Sequence, residues 1–319
     1  MPESSTNLKI AISGDLGSGK STICKLLQAQ MSFSLYSMGE AWRKIAEKYQ
    51  MTILELNRYS ETHPVDEEMD QAMIAMGSTP QNIIFDSRLA WHFIPHAFKI
   101  HLIVDSTIAA ARIFKDQRGK AEGYSNLAET IEKLQLRKES ENKRYFNKYG
   151  LDCEQYDNYD LIVDTSYATP EDIVRLIAIK FGSWATGLAP YKLWLSPKSI
   201  FPTITFNESE ILMAPQTPDP TPGHDFDETK PLSIIRVEGA FYLFGSAPEE
   251  TRQEHKKVSE ALFKSIQFLP ARLQGVDCEP IGANVSAQDY VAQNFNLDVI
   301  HHWEKLHHFI FAKYPITAP

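Results

Sequence analysis

The stretch Lys9-Ile10-Ala11-Ile12-Ser13-Gly14-Asp15-Leu16-Gly17-Ser18-Gly19-Lys20-Ser21-Thr22 constrains the fold more than any other part of the chain. Its opening apolar run reads as a strand buried on both faces, which implies a central, parallel position in a sheet. Ile23, Leu26 and Leu27 then recur at helical spacing, so the glycine-rich turn joins a buried strand to a helix. Gly14, Gly19, Lys20 and Ser21 fit the phosphate-loop pattern G-x-x-x-x-G-K-[ST] at every position. Gly17 and Gly19 allow backbone conformations closed to other residues, so successive N–H groups can converge on one anion. The helix behind them turns its positive end toward the same phosphates. Lys20 is expected to reach the β- and γ-phosphates, and the Ser21 hydroxyl to ligate magnesium. Gly14, Gly17, Ser18, Gly19, Lys20, Ser21 and Thr22 are therefore the expected binding set for ATP and Mg2+.

The chain downstream alternates strands and helices. Strands are predicted over 32–36, 82–86, 99–104 and 160–164, and helices over 51–61, 64–76, 107–114 and 170–181. Trp42, Ile45, Ala46 and Tyr49 fall on one helical face, with Arg43 off it. A long helix starts with Leu127, Ile131 and Leu134, and its second half, Arg137–Lys148, is densely charged. Such alternation means an α/β domain with a mostly parallel sheet flanked by helices, here residues 1–185. The texture then changes. A proline-rich stretch ends at Pro215-Gln216-Thr217-Pro218-Asp219-Pro220-Thr221-Pro222-Gly223, which can form neither helix nor central strand. Leu232–Val237 and Ala240–Phe244 flank Glu238-Gly239, a two-residue hairpin signal. Helices are predicted around Val258, Ala261, Leu262 and Ile266, and around Val299, Trp303, Leu306 and Ile310. Residues 190–319 are thus expected to form a second, smaller α+β domain.

A formal charge of -9 argues against general nucleic-acid binding or attraction to anionic membranes, which need clustered excess base. The cysteines, Cys24, Cys153 and Cys278, are far apart and form no C-x-x-C pair, as suits separate thiols in a reducing compartment. Met1–Asn7 is polar and no long apolar run follows, so the expected location is the cytoplasm.

Several separated motifs give the N-terminal part its family likeness. These are Ile12-Ser13-Gly14 through Thr22, Ser37-Met38-Gly39 with Arg43, and Arg88-Leu89-Ala90-Trp91 after a strand. Arg137 with Glu139-Ser140-Glu141 and Arg144-Tyr145 follow, then Tyr149-Gly150-Leu151-Asp152 and Tyr159-Asp160 through Ser166. In this order they resemble the archaeal-type cytidylate kinases, a compact branch of the P-loop nucleoside monophosphate kinases. The resemblance implies ATP-dependent phosphoryl transfer to a nucleoside monophosphate, CMP or dCMP, with Ser37, Gly39, Arg43, Asp66 and Arg88 on the acceptor side. It implies that Arg137 and Arg144, seven apart on one helical face, act with Lys20 as catalytic lid residues. Asp86, ending an apolar strand, would join Ser21 in the magnesium shell. Plainer readings stay open. Arg88 also suits a surface loop, Asp86 an ordinary strand end, and the Arg137–Lys148 charges a solvated face laced with pairs such as Glu139–Lys143.

The departures lie mostly in the lid. Asp116 stands where the family usually has an arginine, with Arg118 two residues on, and Lys138 reverses a charge beside Arg137. They favour one alternative, a nucleotide-sensing protein with a weakened kinase domain and a regulatory second domain; within enzymes, a kinase of another small phosphate acceptor is the other. The C-terminal part resembles, weakly, the opening of ParB/sulfiredoxin-like domains. Gly245-Ser246-Ala247-Pro248-Glu249-Glu250 stands where that superfamily has a phosphate-binding turn, so scaffolding or homodimerisation is expected there rather than catalysis. His301, Glu304 and His308 are expected on a solvated helix face rather than around zinc.

Overall fold

The computed structural model describes residues 7–60, 63–116, 126–205, 230–281 and 285–314. The first elements are β1 (Lys9–Gly14), α1 (Lys20–Met31), β2 (Ser34–Ser37), α2 (Met38–Lys48), α3 (Ile53–Ser60) and α4 (Val65–Gly77). Next come β3 (Ile83–Asp86), α5 (Ala90–Phe93), β4 (Phe98–Ile103), α6 (Ser106–Lys115), α7 (Leu127–Tyr149), β5 (Leu161–Asp164) and α8 (Pro170–Ala185). The remainder holds β6 (Leu193–Leu195), β7 (Ile200–Phe201), β8 (Leu232–Val237), β9 (Ala240–Leu243), α9 (Pro248–Phe263), β10 (Leu269–Val276), α10 (Ala287–Asn294) and α11 (Leu297–His307). They pack as two compact units. One comprises Met1–Ile103, Asp116–Ile162 and Thr169–Pro190, the other Val104–Lys115, Val163–Ala168 and Tyr191–Pro319.

In the first unit the strand order is β2-β3-β1-β4-β5. β1 pairs in parallel with β3 and β4, and β2 in parallel with β3. Every residue of β1 is buried, as its apolar run requires. Register matters more than count here. Ile12 pairs with Asp86, and Asp86 with Ser37, so the ends of three parallel strands stand in one row. Ligands of open α/β sheets bind beyond such carboxyl ends. Local signals set the flanking helices. The Asn126 side chain accepts from Glu129 N to cap α7, which stops at Gly150 with φ 70°. Thr169 caps α8 by accepting from Asp172 N, and Pro170 occupies its first turn.

In the second unit the order is β6-β10-β8-β9-β7. The expected hairpin is present: β8 and β9 pair antiparallel up to Val237–Ala240, and Glu238 and Gly239 have φ 49° and 82°. Positive φ at both central residues is the turn whose twist matches a hairpin. Around the strands, His255, Val258, Ile300 and Trp303 are almost fully buried. Arg112 of α6 donates to the carbonyls of Thr165 at 2.7 Å and Ser166 at 3.0 Å, which ties two of this unit's segments together.

Three sequence expectations for this unit change. α9 stops at Phe263 and α11 at His307, with Ser265 and His308 in left-handed backbone, so Ile266 and Ile310 lie beyond their helices. Ile310 is 75% exposed. Glu304 is not on a solvated face. It is buried, accepts from Phe311 N at 2.9 Å, and takes the Tyr314 hydroxyl at 3.2 Å. Residues beyond the helix supply donors that its spacing alone could not reveal. The proline-rich stretch 215–223 and the glycine-containing segment 119–124 lie outside the described residues.

Candidate active site

The loop after β1 has the geometry its glycines require. Gly17 and Gly19 both sit at φ 79°. Asp15 N donates to Leu102 O at 2.9 Å, and Ser18 N to Asp15 O at 3.2 Å, which curls the loop back on itself. A Cβ on Gly14 would stand 2.8 Å from Leu102 O and 2.9 Å from Leu102 Cβ, so the loop must begin with glycine. No acidic side chain occupies the first turn of α1, which leaves its positive end open to an anion. Inside the loop, the buried Ser18 Oγ has no hydrogen-bond partner among the described residues.

Asp86 is the point of convergence. It is 4% exposed, and the Lys20 ammonium contacts its Oδ1. On its other oxygen, Oδ2, it accepts from Ser21 Oγ at 3.2 Å and from Ser37 Oγ at 3.3 Å. Burial pulls the Lys20 pKa down to about 8, with Cys24 and Glu141 acting against it. A magnesium ion held by one carboxylate, a hydroxyl, waters and phosphate oxygens matches this donor set.

Three of the residues expected on the acceptor side gather around β2 and α2. A Cβ on Gly39 would lie 3.8 Å from Arg43 Nη2 and 4.0 Å from Ser37 Oγ, so Ser37, Gly39 and Arg43 are neighbours. Arg88, just after β3, pairs through Nε with Glu141 Oε2 at 2.9 Å, and Arg137 Nε meets Glu141 Oε1 at 3.0 Å. One carboxylate of α7 thereby brings Arg88 and Arg137 together. Arg144 instead covers the Tyr145 ring at 5.2 Å. Asp66 is taken by Lys148, whose ammonium lies 3.0 Å from it and 2.9 Å from Glu67. The Thr22 side chain is exposed, on the first turn of α1.

Residues outside the sequence-derived set complete the picture. Lys138, read from the sequence as a charge reversal, bridges Asp15 of the loop and Glu154, each at 3.1 Å. Buried His101 stands beside Asp15, and burial pushes its pKa down to about 4. The Tyr149 hydroxyl donates to Asp70 at 2.6 Å. Glu141 was visible in the sequence as part of a motif, whereas Glu154, His101 and Asp70 carried no local signal. Asp116 is exposed just past α6, and Arg118 lies outside the described residues.

Known proteins match the same part of the chain. The family described as an AAA domain covers residues 10–157. The cytidylate kinase of Archaeoglobus fulgidus is 31% identical over 172 residues, which make up 53% of this chain and 92% of that protein. This chain belongs to the cytidylate kinase family. A second cytidylate kinase, from Thermoplasma volcanium, is 34% identical over 53% of this chain and 89% of its own length. An S-adenosylmethionine-dependent nucleotide dehydratase of Lacinutrix mariniflava is also 34% identical over 53% of this chain, but the match spans 35% of that longer protein. The matched part is thus a P-loop kinase with a nucleoside monophosphate kinase-like fold, a type that implies ATP and typically Mg2+. The donor loop fits that use: its glycine cradle admits no Cβ at Gly14, and Ser18 Oγ sits inside it without a partner among the described residues. Among the described residues no helix is long and apolar enough to cross a membrane, and no His/Cys/Asp/Glu cluster could hold a metal by itself.

Proposed function

We propose that the chain transfers the terminal phosphoryl group of ATP to a nucleoside monophosphate, with CMP and dCMP as the preferred acceptors. The observation that carries this reading is Asp86, whose one carboxylate touches Lys20 and Ser21 on the donor side and Ser37 on the acceptor side. A transfer between two polyanions needs both gripped in register, with the charge spread over the moving group neutralised. Gly14–Thr22 hold the donor phosphates, and Lys20 follows them as a point charge. Ser21 and Asp86 hold the magnesium, which supplies positive charge across the phosphates. Ser37, Gly39, Arg43 and Arg88 grip the acceptor phosphate, with Asp66 nearby. Arg137 and Arg144 on α7 close over the transferred group.

Cytidine as the base rests on the relatives named cytidylate kinase. The kinase module is taken as residues 1–185 and the second domain as 190–319, on the change of sequence texture between them. A homodimer through the second domain and a cytoplasmic setting belong to the same reading. The likeness to ParB/sulfiredoxin-like domains is weak, and the acidic Glu249-Glu250 in the place of their phosphate-binding turn argues against a phosphate site there. Ser246 N donates to Glu250 Oε2 at 3.1 Å, so a carboxylate already fills the opening of α9.

A second reading has one observation in its favour. Glu141 already pairs with Arg88 and Arg137, two arginines that catalysis would need free. A nucleotide sensor could keep them so. ADP release coupled to an indicator reaction, with CMP, dCMP, UMP, AMP and GMP as acceptors, separates the two. Turnover that is highest with CMP or dCMP supports the proposal. Tight ATP binding with no turnover on any acceptor would replace it with the sensor.

A further inference from the structure

A phosphate loop exists to attract anions, yet this one carries a carboxylate, Asp15, directly after Gly14. An uncompensated negative charge in that six-residue turn would repel a triphosphate, and partial burial would strengthen the repulsion. Three basic groups approach it: Lys138, His101 and Arg88. They are not equivalent. Arg88 is already paired with Glu141 at 2.9 Å. His101 is 6% exposed, and burial keeps its imidazole neutral near pH 7, with a pKa of about 4. Lys138 reaches Asp15 Oδ1 at 3.1 Å from α7, 123 positions along the chain by subtraction of the two residue numbers. Burial raises the Asp15 pKa, and Lys138, as the foremost opposing influence, brings it below its ordinary value. Lys138 also holds Glu154 at 3.1 Å, so its ammonium sits between two carboxylates.

We propose that Lys138 is the dedicated counter-ion of Asp15: it cancels the charge inside the phosphate loop and makes the loop hospitable to a nucleoside triphosphate. It is a positioning residue, acting on the donor through Asp15, and the proposal rests on the donor-site reading above. The charge reversal beside Arg137 and the acidic residue in the loop are then one feature. Asp15 would be a liability without Lys138.

The distinguishing property is rescue. If Lys138 merely pins α7 to the loop, removing Asp15 as well cannot restore anything. If it cancels charge, removing Asp15 restores binding. The full-length chain and the variants Lys138→Met, Lys138→Arg, Asp15→Asn, Asp15→Asn/Lys138→Met and Glu154→Gln/Lys138→Met would be titrated with Mg·ATP by calorimetry, without acceptor. Melting temperatures recorded alongside identify any variant that fails to fold. Lys138→Met is expected to weaken ATP by about tenfold, the scale of one uncompensated charge at close range. Lys138→Arg should stay near wild type, and Asp15→Asn/Lys138→Met should return to within about threefold of it. The Glu154 double variant should remain weak. Unchanged affinity in Lys138→Met, or a double Asp15 variant as weak as the single, would overturn the counter-ion. Absence of ATP binding by the wild-type chain would instead overturn the donor-site reading, and this proposal with it.

Discussion

Arg88 Nε and Glu141 Oε2 lie 2.9 Å apart, so the arginine that follows β3 already holds an anion supplied by α7. The same carboxylate reaches Arg137 at 3.0 Å. An acceptor phosphate bound at Arg88, as proposed, would therefore exchange one oxyanion for another. Glu141→Gln removes the competitor while keeping the shape. Its KM for the nucleoside monophosphate should fall by about threefold, the yield of losing one partly solvated competing charge. Steady-state kinetics at saturating ATP check this; a raised KM would mean that Glu141 aims Arg88 rather than competing for it.

Lys20 and Asp86 are in contact at the floor of the donor loop. Because phosphoryl transfer depends on neutralising developing charge, Lys20→Ala should cost about two orders of magnitude or more in kcat. Asp86→Asn should lose activity on a similar scale and should shift the magnesium concentration needed for half-maximal rate upward. A magnesium titration of the residual rate reads the second effect. An unshifted titration would remove Asp86 from the metal's surroundings.

Tyr149 sits at the end of α7, where its hydroxyl donates to Asp70 of α4 at 2.6 Å. Beside it, Lys148 holds Asp66 and Glu67. This end of α7 is moored to α4. Tyr149→Phe should lower stability by about 1 kcal/mol, the net worth of one such hydrogen bond. Urea melts measure it. Burial, reinforced by Asp70, keeps the phenol protonated at any working pH, so the loss should not depend on pH between 6 and 9.

His255 provides an acid-sensitive element in the second unit. Its Nε2 accepts from Thr203 N at 2.8 Å, and its Nδ1 meets Thr251 O at 2.7 Å, which defines a neutral tautomer. Burial pushes its pKa from 6.5 down to about 4. Between those values the unfolded chain binds the extra proton and the folded chain does not. Stability is therefore fully present above about 6.5, falls as the pH drops, and levels off below about 4, with a loss of about 3 kcal/mol at most. Denaturant melts of wild type and His255→Gln at pH 7.5, 5.5 and 4.5 isolate this residue. Equal pH slopes for the two proteins would refute the assignment.

Local chemistry determined much of this molecule. The phosphate loop needs only glycines, a lysine and a hydroxyl at fixed spacing, so Gly14–Thr22 could be read from the chain, together with the strand before and the helix after. The Glu238-Gly239 turn and the caps at Asn126 and Thr169 are local in the same sense. The tertiary structure alone decided which charges meet. Lys20 finds Asp86, Arg88 finds Glu141, and Asp15 finds Lys138 across long stretches of chain, and no periodicity encodes such pairings. The parallel register of β1, β2 and β3 explains the first of them, because it sets Ile12, Ser37 and Asp86 in one row. The reversed charge at Lys138 illustrates the limit. In sequence it is a departure from a pattern; in three dimensions it answers a carboxylate in the phosphate loop. Glu304 shows the same limit, because its partners Phe311 and Tyr314 lie beyond the helix whose spacing put it in solvent. Electrostatic partners are chosen by distance in space, and that distance exists only once the sheet has formed.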